Sequence, residues 1–137
     1  MSMGYQQQCV LDATAARAAI LNLNARHNRY YSGGERTPWI ATFKHTGARL
    51  AVNGQVHTDL RTAFDGGRGR LVTLDHDIVV DGVFATQHCI AVLLAESGDA
   101  FTTGTYSDEL VYERGAWYYA TRSLSWEGAR RVGSVSA

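Results

Sequence analysis

Cysteine is scarce in this chain: two in 137 residues, Cys9 and Cys89, far apart and at no spacing that suits a metal ion. They read as reduced thiols in a cytoplasmic protein, Cys89 as strand packing. An excess of charge of either sign is also missing. Thirteen Lys and Arg balance thirteen Asp and Glu, for a formal net charge of zero. Nothing therefore suggests broad attraction to nucleic acid or to an anionic membrane, and neither is expected as a partner. No apolar window approaches transmembrane length. The opening residues, Met1 to Gln8, lack a basic segment leading into an apolar run, so no signal peptide is expected. Internal repeats and linkers are absent as well. What remains, 45% apolar and 19% charged, is an ordinary globular composition. The length fits one domain over residues 1–137 that buries a core without staples.

Residues 1–8 read as a frayed polar leader. Asp12 can cap a helix from about Ala13 to Ser32, ended by Ser32-Gly33-Gly34. Along it Ala16, Ile20, Leu23, His27 and Tyr30 or Tyr31 recur at helical spacing and form one apolar stripe. A short second helix starts with Thr37 as cap and Pro38 in its first turn, with Trp39, Ile40 and Phe43 on its apolar side. Ala48, Leu50 and Val52 alternate with polar residues as a strand, and Asn53-Gly54 is a turn signal. Gln55 to His57 lead into a third helix capped by Thr58, with Leu60 and Phe64 one turn apart. Asp65 to Gly69 break it. Strands follow at 71–80 and 84–95.

A long hairpin closes the chain: Phe101 to Tyr112, a turn at Glu113-Arg114-Gly115, then Trp117 to Trp126. Strict alternation puts Tyr118, Ala120, Arg122, Leu124 and Trp126 on one face and Trp117, Tyr119, Thr121, Ser123 and Ser125 on the other. Arg122 is the anomaly in an otherwise apolar row. If it faces inward its charge needs a partner, with Asp108, Asp75, Asp77 or an anionic ligand available. The tail from Glu127 reads as small, polar and mobile. Helices followed by strands make an α+β fold.

Four stretches carry a family resemblance. They are Ala16-Arg17-Ala18-Ala19-Ile20 with Leu23; Trp39 with Phe43; Val80-Asp81-Gly82 with Ala85; and Gly104, Tyr106, Asp108-Glu109, the turn, Trp117 and Arg122. In this order they resemble the SnoaL-like branch of the NTF2-like superfamily. The resemblance covers about residues 13–126. It implies a cone, a strongly curved and mostly antiparallel sheet wrapped round about three helices, with a pocket at one end. Relatives such as scytalone dehydratase, hexachlorocyclohexane dehydrochlorinase and polyketide cyclases imply cofactor-free acid–base chemistry on apolar small molecules. Dehydration, elimination, isomerisation or cyclisation would make the protein a lyase or isomerase. The β subunits of aromatic-ring dioxygenases imply the alternative, a non-catalytic binding or assembly module. In the dehydratase and dehydrochlorinase members an aspartate ends the first helix, and a histidine lies near the start of the sheet's second strand. Here those positions fall on Tyr31 or Ser32 and on Leu71, with Asp75 at the polar position four residues later. Both members of the pair are missing, and only the cavity arginine is matched, by Arg122.

His88 is the candidate replacement. By strand parity it shares a face with Phe84, Thr86, Ile90 and Val92, and an inward imidazole serves as a base near neutral pH. The plainer reading is a histidine bonded to a neighbour. In the catalytic scheme Arg122 stabilises developing negative charge and Tyr31 is the acid or orienting donor. His27, Tyr30, Trp39, Phe64, Thr86, Tyr106, Asp108 and Trp126 line the substrate pocket, although a histidine on an apolar stripe such as His27 is more often a satisfied core histidine. Asp108 with Arg122 reads first as an ion pair that stabilises the fold, and second as part of the catalytic site. Asp75-His76-Asp77 is no metal site, since adjacent strand residues face opposite sides. His45 and His57 read as exposed, and the Gly66-Gly67-Arg68-Gly69-Arg70 run as a turn before a strand, not a phosphate loop. No metal or cofactor is expected. The expected partners are a small apolar or aromatic molecule and a second copy of the chain, docked in a homodimer or larger homo-oligomer through Trp117 and Tyr119.

Overall fold

The structure is a computed structural model that describes residues 5–131, with side chains from residue 12 onward. Helix α1 spans Tyr5–Ser32. Its start precedes Asp12, which therefore lies inside the helix and does not cap it, and of the expected leader residues 1–4 fall outside the described residues. Ala16, Ile20, Leu23 and His27 are buried along one stripe, joined by Asn24. Helix α2 (Arg36–Ile40) has Glu35 at its cap and Thr37 within it, and buries Trp39. Strands β1 (Arg49–Val52) and β2 (Gln55–His57) pair antiparallel. Asn53 and Gly54 join them, both left-handed at φ 50° and 85°, as a two-residue hairpin of this type requires. Residues 55–57 are thus a strand, not the approach to a helix. Helix α3 (Leu60–Ala63) is capped by Asp59, whose carboxylate accepts the Arg61 amide N–H at 3.1 Å, instead of by Thr58.

Four long strands follow: β3 (Gly69–Asp81), β4 (Phe84–Ala95), β5 (Ala100–Glu113) and β6 (Ala116–Arg131). The last continues five residues past Trp126, in place of the expected mobile tail. Residues 132–137 lie outside the described residues. Spatial order in the single sheet is β2-β1-β6-β5-β4-β3, with β1 parallel to β6 and every other pair antiparallel. The sheet packs over α1, so the fold is the α+β cone of the NTF2-like class.

Three breaks in register bend this sheet: at Leu74/Asp77 between β3 and β4, and at Thr102/Gly104 and Glu109/Leu110 between β5 and β6. Each bulge kinks its strand and adds twist, which lets an open sheet curl round the helices. The third break also changes which side chains face inward. Leu110 pairs with Tyr119 but Glu109 with Thr121, so Ala120 is the extra residue. Trp117 and Tyr119 therefore share the inner face with Arg122, Leu124 and Trp126. Tyr119 is fully buried and Trp117 nearly so. The strict alternation through residues 117–126 fails at this point, and the apolar outer patch expected of Trp117 and Tyr119 does not exist. Gly104 is required where it stands. A Cβ there would lie 2.6 Å from the Ser125 carbonyl oxygen and 2.8 Å from the Trp126 ring.

The core has two parts. One centres on Ile20, Leu23, Trp39, Phe43, Leu110, Trp117 and Tyr119, and the other on Leu71, Cys89, Ala91, Tyr106 and Leu124. Cys89 is a buried free thiol, its pKa pushed up to about 11 by burial against the opposing pull of Arg122.

Candidate functional site

The expected site residues scatter. On β4 the inner face consists of Ala85, Gln87, Cys89 and Ala91, all buried, so His88 and Thr86 point outward and are exposed. His88 sits between Asp77 on β3 and Ser107 on β5. The inward placement of both residues is corrected by one position of strand parity. His27 is buried and fully bonded. The Trp39 indole N–H donates to Nε2 at 3.2 Å, so Nδ1 carries the proton and donates to Thr42 Oγ1 at 2.9 Å. The Thr42 hydroxyl donates in turn to the Trp39 carbonyl at 2.6 Å. Burial, and then Arg122, lower the His27 pKa well below the ordinary 6.5. It is a neutral core histidine stacked among Trp39, Phe43 and Tyr119.

Arg122 is fully buried, and its Nε donates to Asp108 Oδ1 at 3.0 Å. Its guanidinium lies between two rings, 3.5 Å from the Tyr106 centroid and 4.2 Å from that of Tyr119. Gln87 Nε2 donates to the second Asp108 oxygen at 2.8 Å and to Asn24 Oδ1 at 3.0 Å, while Asn24 Nδ2 returns a bond to Gln87 Oε1 at 2.6 Å. The Tyr119 hydroxyl also donates to Asn24 Oδ1 at 2.5 Å. Burial pulls the Arg122 pKa down, but Asp108, Tyr119, Tyr106 and Cys89 outweigh it and hold the group firmly charged. Burial raises Asp108 above the ordinary carboxylate value, against the pull of Arg122 and Gln87. Burial likewise pushes Tyr106 up to about 12.

The remaining expected residues are walls of this interior or its edge. Phe64 stacks 5.0 Å from Trp39 and 6.0 Å from Tyr31. The Tyr31 hydroxyl donates to Asp65 at 2.9 Å, and burial and then Asp65 raise its pKa. Tyr30 packs on the first core beneath the Arg29 guanidinium, and Trp126 on the second.

A different set of side chains forms a cavity. A groove of about 720 Å³ runs between α1 and β3, the sheet's edge strand. Leu21, Asn24, Ala25, Asn28, Arg29 and Ser32 form its helix wall, and residues 69–73 with His76 form its strand wall. Its volume falls within the range of small-molecule sites. His76 reaches it because of the first bulge. Asp75 adopts a left-handed φ of 54°, and residues 75 and 76 together oppose Cys89 alone. The parity of β3 shifts there, and His76 joins Leu71, Thr73, Ile78 and Val80 on the inner side. Thr73 Oγ1 lies 2.9 Å from His76 Nε2 and accepts from Asn28 Nδ2 at 2.8 Å. Burial first, and Arg122 second, lower the His76 pKa below 6.5, so the ring is neutral at pH 7. Of the positions where the resemblance places the missing pair, Tyr31 or Ser32 and Leu71, the latter two are neighbours. The Leu71 amide N–H donates to Ser32 Oγ at 2.9 Å, and that hydroxyl donates to the Asn28 carbonyl at 2.7 Å.

His76, Thr73 and Asn28 are the residues that sequence reasoning missed. The available signal was Asp75, a residue type that tolerates left-handed backbone, in the middle of a strand. Among the described residues no cluster of His, Cys, Asp and Glu could hold a metal ion. Likewise among them, no helix is long and apolar enough to cross a membrane.

Residues 12–123 match the SnoaL-like domain, and the chain belongs to that family. Solved structures agree at the level of the fold. A single-site variant of Rv3472 from Mycobacterium tuberculosis, a protein of unknown function, aligns with a TM-score of 0.74 and 24% identity over 93% of this chain and 78% of its own. A protein described as a candidate scytalone dehydratase from Novosphingobium aromaticivorans gives 0.74 at 15% identity, covering 90% and 92%. A type 2 hexachlorocyclohexane dehydrochlorinase (LinA) gives 0.72 at 12% identity, covering 90% and 93%. No curated protein matches.

Proposed function

We propose that the chain binds a small, largely apolar molecule in the groove between α1 and β3 and catalyses cofactor-free proton transfer on it, with His76 as the base. The observation that carries this reading is the bulge at Asp75, which seats a neutral imidazole in the wall of a cavity of ligand size. In the tautomer whose Nε2–H donates to Thr73 Oγ1, the Nδ1 lone pair is left to take a proton from the bound molecule. The Thr73 and Asn28 bonds fix the ring. The groove also contains Ser32 and Leu71. His76 is the imidazole of that same groove. The relatives described as a dehydratase and a dehydrochlorinase support elimination or dehydration as the reaction class.

A panel of cyclic ketones, hydroxylated rings and halogenated rings, incubated with the protein in D2O and analysed by mass spectrometry, tests the reading. Deuterium uptake or loss of water or HCl that persists in His88→Ala and falls at least a hundredfold in His76→Phe is the expected result. Full turnover by His76→Phe would reject it.

The non-catalytic alternative has one observation in its favour: Ser32 and Leu71 bond to each other through a backbone amide, with no acid–base pair between them. Binding of panel members without turnover would select it. Self-association belongs to the same proposal but uses a different surface. The outer face of β3 and β4 exposes Leu74, Val79, Phe84 and Leu94, and a second copy of the chain would cover them.

A further inference from the structure

Resting on the self-association proposed above, we infer how the second copy docks: face to face on the outer sheet surface, turned about a two-fold axis that crosses the strands, so that Arg70 of each copy meets Asp81 of the other. Residues directly opposed on neighbouring strands share a face of the sheet, so the register sorts the outer surface into rows. One end row runs Arg70, Leu94, Phe101, and the other Asp81, Phe84, Val111. The rows between them start on β3 with Val72, Leu74, Asp77 and Val79. Charge on this surface is divided lengthwise. Arg70 stands exposed at one end of β3, while Asp77 and Asp81 on β3 and Glu109 on β5 stand exposed towards the other. Glu96 and Asp99 lie in the turn beyond the Arg70 end, and among the described residues neither Arg70 nor Asp81 makes an ion pair. Two orientations lay such a surface on itself with the strands aligned. An axis along the strands sets the Arg70 end on the Arg70 end and the acidic end on the acidic end, which repels. An axis across them, between the Leu74 and Asp77 rows, inverts the order. Arg70 then faces Asp81, Leu94 faces Phe84, Phe101 faces Val111 and Val72 faces Val79. Charge meets opposite charge and apolar meets apolar, the complementarity that a self-docking surface needs. Asp77 and His88, which this places against Leu74 and Ile90, are cross-strand neighbours able to bond to each other.

Sedimentation equilibrium on the full chain, with two charge-reversed variants, tests the arrangement. Arg70→Glu makes both ends of β3 acidic, and Asp81→Arg makes both basic. Each variant alone should therefore dissociate, with a dimer dissociation constant raised about ten-fold or more over that of the native protein. Mixed one to one, the two variants restore both contacts, and the mixture should dimerise as tightly as the native chain. Both positions are exposed and outside any ion pair in the single copy, so each variant should keep the native thermal midpoint. A native dimer that either single variant leaves intact, or a mixture that stays monomeric, overturns the orientation and leaves self-association standing. A native monomer overturns both, and leaves the apolar face to a partner other than this chain. None of these results touches the turnover test of His76.

Discussion

Replacing Arg122 by methionine leaves Asp108 in the interior with Gln87 as its remaining donor. Loss of one partner of a buried pair costs about 3–5 kcal/mol, whereas loss of both is often far milder. Arg122→Met should therefore lower the urea midpoint sharply, and Arg122→Met/Asp108→Leu should recover most of the loss. A double variant no more stable than the single one would show that the pair is not the unit described. His27 makes a second prediction, in which pH is the variable. Its pKa is lowered in the folded state by burial and then by Arg122, from 6.5 in the open chain. The unfolded chain therefore takes up a proton below pH 6.5 that the folded protein refuses. The stability His27 confers is fully present above that value and is lost as pH falls through it, by about 1.4 kcal/mol per pH unit. His27→Gln keeps an acceptor for the Trp39 indole and removes the titration. Denaturant curves between pH 7 and 5.5 should show the native protein losing stability faster than the variant, and parallel losses would contradict the assignment. That His27 lies on a buried stripe was legible from the spacing of Ala16, Ile20 and Leu23. That Thr42 and Trp39 would satisfy both ring nitrogens was not, because those bonds exist only once α2 is packed on α1.

At the scale of elements, the bulges decide which residues meet. Three helices and four long strands were readable from periodicity and turn chemistry, and β4 to the residue. Inner and outer faces were not, and the reason is physical. On β3, Val72, Leu74 and Val79 face outward while Leu71, Ile78 and Val80 face inward, so apolar character marks neither side and a shift in parity leaves no trace in the pattern. The same holds for Trp117, Tyr118 and Tyr119, three aromatics in a row. On β4 the outer Phe84, Ile90 and Val92 outweigh the small inner alanines, which made the outward face look like the core. Asp75 is the point at which this can be tested. Asp75→Gly keeps the left-handed backbone at no steric cost, while Asp75→Val opposes it by about 1–2 kcal/mol. The glycine variant should match the native protein in thermal midpoint and in groove binding. The valine variant should lose both. Equal behaviour of the two would mean that the bulge does not depend on this residue.

For the whole molecule, the outer face of β3 and β4 is the surface that a monomer leaves wet, with Phe84 63% and Val79 58% exposed. Sedimentation at tens of micromolar should give a dimer, and Phe84→Glu should shift it to monomer, since a buried charge facing a second copy is costly. A native monomer at that concentration would contradict self-association. The central claim lies elsewhere, in the groove whose imidazole comes from β3 and not β4. Its most direct test is imidazole titration by 15N-detected NMR on the native protein, with and without a groove ligand. His76 should titrate below 6.5, held down by burial and by Arg122, and its nitrogens should shift when the ligand is added while those of exposed His88 stay still. A His76 that titrates at 6.5 or above and ignores the ligand, with His88 responding in its place, would contradict the account.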